Sequence, residues 1–274
     1  MNFPQSISGG AGKFLAISLV LCLWGAWGVL SLRGLFKRPC AREVGYKIGL
    51  SDFLLLAFLS ATTLWLSSQC SLALGRFCDS DALLTYGGTT CMNVLFIASA
   101  CIFLKFSESK PRLFCRGANS VGALVSGGFE MFKNFALLAG IAALWLSLLS
   151  LLDMDVKEQA AVEFFVDLNS IWLKIAAIFT LAVLAPVWEE IFFRGFIYGA
   201  LKGLCGTLAA ALATSVFFAL IHASLYAFLP IFFLSLFFIL LYEKSGDLRV
   251  SMGAHSLFNL CNAVGLIIQA RQNG

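Results

Sequence analysis

Apolar runs recur along the whole chain, at about 14–32, 51–74, 87–106, 132–152, 171–188, 207–225, 226–241 and 250–269. A helix needs roughly 20 mainly apolar residues to cross a hydrocarbon core of about 30 Å. Inside lipid, each backbone N–H and C=O must be satisfied within its own segment, which favours helices. Runs of this length and number predict an all-α polytopic membrane protein of about eight transmembrane helices. Composition agrees, because 60% of the residues are apolar, 27 are Phe and the mean hydropathy is +0.90, well beyond the usual range for a water-soluble globule. Pro230 is the one breaker in the stretch from Thr207 to Tyr242, so the sixth and seventh runs are expected to part near it. The first run follows a single Lys13 and has no small-residue cleavage site before the next basic loop, which predicts a retained span and not a signal peptide.

Charge sets the expected orientation. Arg33, Lys37, Arg38, Arg42 and Lys47 follow the first run, and Lys105, Lys110, Arg112, Arg116 and Lys133 follow the third. With Lys202, Lys244 and Arg249, thirteen basic residues fall on one side and five on the other. The sparse side also carries the acidic 153–167 segment, which mixes carboxylates with Val162, Phe164, Phe165 and Val166 and reads as a short interfacial helix. The positive-inside rule then makes the basic loops cytoplasmic and both termini non-cytoplasmic. Gly117, Gly122, Gly127 and Gly128 mark an irregular stretch ahead of the fourth span. The nine cysteines are scattered without a C-x-x-C, so no disulfide framework or zinc knuckle is indicated, although Cys70 and Cys78 are near enough to pair on the outer face. No basic tract points to nucleic acid.

Against this background "APVWEEIFFRG", residues 185–195, is out of place. Charged groups at membrane depth are tolerated chiefly where they face a bundle interior or a wet cavity and have partners. Glu190 and Arg194 are four apart, share a helical face and can pair. Glu189 lies about 100° round from Glu190 and has no basic residue at the same spacing, so one carboxylate reads as structural and the other as free. The chain's two histidines, His222 and His255, fall in the same last third. Asn259 shares a face with His255, and Phe218 with His222, the latter a packed ring beside a polar side chain. These groups are best satisfied if three segments meet around one polar intramembrane cavity, which puts the two imidazoles within about 10 Å of each other, facing Glu189 across a space open to the cytoplasmic leaflet. A carboxylate, two imidazoles and an amide can activate water and stabilise an oxyanion. A zinc hydrolase is the alternative within enzyme chemistry, since two His and a Glu can hold the metal, although H-E-x-x-H is absent. The same polar groups are also compatible with a proton- or ion-coupled transporter and with a non-catalytic membrane peptide-binding or immunity protein.

The three segments "EEIFFR" (189–194), "FALIH" (218–222) and "HSLFN" (255–259) resemble the motifs of the CPBP, or Abi, family of intramembrane endopeptidases, which includes the type II CAAX prenyl proteases. The resemblance covers about residues 171–262, with "EKSGDL" as further family-like context and a bacterial-like character. It implies that Glu189 and His222 activate the attacking water, that His255 and Asn259 form the oxyanion site, and that Glu190 and Arg194 hold the motif helix. It implies no cofactor, and a membrane-anchored or hydrophobic peptide as substrate, prenylated CaaX ends among the candidates. The chain accordingly divides into N-terminal spans, 1–170, and a catalytic transmembrane core, 171–274, within one structural domain.

Overall fold

The computed structural model describes residues 46–76, 81–109, 111–115, 119–154 and 170–272, and among them it is helical without strands. Seven helices follow in order: α1 (Leu50–Leu74), α2 (Asp81–Phe106), α3 (Ser120–Leu151), α4 (Ile171–Cys205), α5 (Thr207–Ile221), α6 (Leu225–Ser245) and α7 (Leu248–Gln272). Five of them, α1 to α4 and α6, are long and apolar enough to cross a membrane. Outward-pointing Phe58, Trp65, Val125, Phe129 and Phe132 suit a lipid surround. At 15 residues α5 reaches only about 22 Å. The expected first span, 14–32, and nearly all of the acidic segment lie outside the described residues, as does Cys78. Cys70 carries a free thiol.

The break between α5 and α6 falls at 222–224, not at Pro230, which sits inside α6. Local chemistry explains the position. Ala223 takes a left-handed φ of 49° that ends α5, and the Ser224 hydroxyl accepts from Ala227 N at 3.3 Å to cap α6.

A larger departure concerns the glycines. No irregular stretch precedes the fourth span from residue 120 onward; Asn119 caps α3 by accepting from Val121 N at 3.1 Å, and the helix runs unbroken through Gly122, Gly127 and Gly128. Gly127 serves packing. A Cβ on Gly127 would stand 1.8 Å from Val250 O, and one on Gly253 would stand 2.0 Å from Leu124 O. The two backbones therefore touch, and α3 and α7 run parallel from a common end. Their contact seats Met131, Leu138, Val250 and Ala254 against Leu234, Phe237, Phe238 and Leu241 of α6. Lys133, expected in a loop, belongs to α3 and pairs with buried Glu130 at 2.7 Å. Gly127→Val should destabilise the protein by about 2–3 kcal/mol, because over-filled contacts force backbone shifts. Thermal unfolding in detergent checks it, and an unchanged midpoint would disprove the contact.

The connections converge at the two ends of the bundle. At one end Tyr46 N donates to Gly199 O (3.2 Å), Asp52 accepts from the N–H groups of Glu108 and Ser109 (3.0 and 2.9 Å), and Leu248 N donates to Leu113 O (3.0 Å). Lys202 pairs with Glu243 and Arg249 with Asp247, each at 2.6 Å. Every described basic residue expected on the crowded side lies at this end, apart from Lys133. At the far end Trp145 Nε1 donates to Leu225 O at 2.9 Å.

Candidate active site

Helix α4 is irregular where the chemistry lies. It is α-helical over Ile171–Phe179, π-helical over Thr180–Leu184, α-helical over Ala185–Glu189, π-helical again over Glu190–Tyr198, and α-helical to Cys205. Proline explains the first change, since Pro186 has no N–H to continue the ladder, and the Ala185 N–H bonds Thr180 O five residues back. Such wide turns frequently mark functional segments.

Glu190 and Arg194 form the expected pair, with Nη1 and Oε1 3.0 Å apart and both side chains wholly buried. The guanidinium lies over the ring of Phe218 at 4.4 Å and that of Phe238 at 5.1 Å, and its Nη2 donates to Ser235 Oγ at 2.9 Å. Aromatic faces and a hydroxyl thus supply part of the solvation that lipid cannot. The same Oε1 of Glu190 lies 2.9 Å from His255 Nδ1. A carboxylate accepts, so Nδ1–H is the donor. The His255 ring stacks on Phe238, 4.7 Å between centroids, and its Nε2 stands 3.7 Å from Glu189 Oε2. Glu189 keeps 14% of its side chain exposed where Glu190 has none. The two adjacent carboxylates therefore differ as their spacing predicts: one is consumed by Arg194 and His255, and the other is open.

His222 closes α5. Its Nδ1 lies 2.7 Å from Phe218 O, and a carbonyl can only accept, so Nδ1 is the donor and Nε2 is left free of this contact. The Phe218 ring touches both imidazoles, 4.8 Å from His222 and 6.3 Å from His255. Asn259, one turn beyond His255 on α7, donates from Nδ2 to Leu181 O at 2.8 Å. Glu189, Glu190, Arg194, Phe218 and His255 are thus brought into one cluster, with His222 flanking it through Phe218 and Asn259 through the first wide turn. Of the two imidazoles expected to face Glu189, that of His255 has its Nε2 3.7 Å from the carboxylate. Along α5, His222 also lies toward the end away from the basic loops.

Several participants are not evident from the sequence. Ser235 and Phe238 complete the shell around Arg194, and a serine in the middle of the apolar α6 is the available signal. Asn93 of α2 is buried and accepts a hydrogen bond from Trp188 Nε1, tying the N-terminal helices to the residue before Glu189. Nothing in the sequence links those two positions. Among the described residues no group of three or more His, Cys, Asp or Glu is placed to hold a metal ion.

No curated protein and no solved structure matches the chain. Residues 171–261, the segment that builds the whole Glu–Arg–His cluster, match the family model described as type II CAAX prenyl endopeptidase Rce1-like.

Proposed function

We propose that the protein is an intramembrane endopeptidase that hydrolyses a peptide bond of a membrane-anchored substrate, with prenylated CaaX ends as the first class to test. One observation carries this reading: within a Rce1-like segment, Glu190 is committed to Arg194 and His255 while Glu189 stays accessible beside an imidazole. Water is activated by Glu189 and by the Nε2 lone pair of His222, one of which takes the proton as the oxygen attacks the scissile carbonyl. As an imidazolium, His255 donates from Nε2 to the resulting oxyanion, and an N–H of Asn259 joins it. The imidazolium, Arg194, Glu189 and Glu190 together carry no net formal charge, which suits a site away from bulk water. Collapse of the tetrahedral intermediate breaks the C–N bond, and the abstracted proton goes to the leaving amine.

Purified protein assayed on membrane-anchored peptides, farnesylated CaaX peptides included, tests this reading. Cleavage that survives a chelator is the expected result. Activity lost to chelator and restored by zinc would transfer the assignment to a metal hydrolase, and peptide binding without cleavage to a non-catalytic binding protein. Ion flux in liposomes would favour a transporter.

The basic end is cytoplasmic in this reading. A chain that keeps Cys205, exposed at that end, as its sole cysteine should react with an impermeant maleimide only from the cytoplasmic side. Labelling from outside would reverse the topology.

A further inference from the structure

Leu181 has a backbone carbonyl that loses both of its ordinary helical donors. In an α-helix the donor is the N–H of Ala185, but that N–H bonds Thr180 O instead. In the π register the donor is residue 186, and that residue is Pro186, which has no N–H. A bare carbonyl at membrane depth is strongly unfavourable, so some other group must supply the donor. Asn259 supplies it from α7, 78 residues along the chain, at 2.8 Å. A primary amide carries two N–H donors on one nitrogen. The bond to Leu181 O takes one, fixes the plane of the amide and leaves the second for a ligand.

We propose that Pro186 is a positioning residue for Asn259: by lacking an N–H it bares Leu181 O, and that carbonyl orients the Asn259 amide so that its second N–H meets the oxyanion. The catalytic half of this inference rests on the endopeptidase reading, whereas the anchoring of Asn259 stands on the hydrogen-bond geometry. Proline inside a spanning helix is ordinarily a liability. Here it converts a backbone group of the Glu-bearing helix into the seat for a side chain of the His-bearing helix, and so sets the two halves of the site relative to each other. Gln or Ser at 259 would not reproduce the arrangement, since each has a different reach or a single donor.

Pro186→Ala is the informative variant, because it restores an N–H able to take Leu181 O and needs no change in side-chain volume beyond the ring. With side-chain ¹⁵N-labelled Asn in nanodiscs, one Asn259 amide proton of the parent protein should exchange slowly with solvent, and in Pro186→Ala both should exchange fast. On a farnesylated CaaX peptide kcat should fall about 10-fold or more with KM within about twofold, the pattern of a lost transition-state contact. The thermal midpoint should hold or rise, since a helix-interior proline has been removed, so the loss of rate cannot be put down to unfolding. Retention of the slow Asn259 proton in Pro186→Ala would overturn the inference. Unchanged kcat in Pro186→Ala, on a substrate whose cleavage Glu189→Gln abolishes, would overturn it as well. Should Glu189→Gln leave cleavage intact, the endopeptidase reading fails instead, and amide exchange alone then decides whether Pro186 anchors Asn259.

Discussion

Glu189→Gln is expected to lower kcat by roughly 10²- to 10⁴-fold, the usual worth of a positioned general base, while leaving the thermal midpoint of the purified protein nearly unchanged. The amide keeps the size and shape of the carboxylate but cannot accept a proton. Stability is expected to hold because Glu189 is partly exposed and the imidazole beside it, His255 Nε2, stands at 3.7 Å, beyond hydrogen-bonding distance. His255→Ala and Asn259→Ala should each cost on the order of 10²-fold as oxyanion donors are lost, with His255→Ala also disturbing Glu190, to which its Nδ1–H is bonded. Wild-type turnover by Glu189→Gln on a confirmed substrate would remove this residue from the mechanism.

What the sequence makes legible is local in the chain. The Glu190–Arg194 pair, the Phe218–His222 ring contact and the placement of His255 and Asn259 on one helix all follow from a four-residue spacing, and all are present. The bundle class follows from run length alone. Relations between distant segments are not legible. Gly127 and Gly253 are 126 positions apart, and only their juxtaposition turns a glycine-rich stretch that resembles a loop into a helix crossing. The sequence sets both imidazoles around Glu189 without ranking them, and the packing of α7 on α4 brings His255 Nε2 to 3.7 Å from that carboxylate. Lys133 reads as a loop charge because the apolar run at 132 begins twelve residues after the start of α3, and its partner Glu130 is hidden with it. Helix register decides each of these, and register depends on packing that a single segment does not encode.

Glu190→Gln should act in the opposite way to Glu189→Gln, lowering stability by about 3–5 kcal/mol, the cost of breaking a buried ion pair from one side. Arg194 is fully buried, and the Glu190 carboxylate is the one acid within ion-pair distance of it among the described residues. A neutral amide leaves the guanidinium supported by Ser235 and two aromatic faces alone, and cation–π contacts of roughly 1–2 kcal/mol do not replace a counter-ion. Arg194→Met should be milder, because Glu190 retains the Nδ1–H of His255. The double variant Glu190→Gln, Arg194→Met should regain most of the loss, since removing both charges also removes the cost of burying them. A double-mutant cycle on unfolding free energy in detergent measures that coupling directly. Were Glu190→Gln as stable as the parent protein but catalytically dead, the roles of the two glutamates would have to be exchanged, with Glu190 as the base and Glu189 as the spectator.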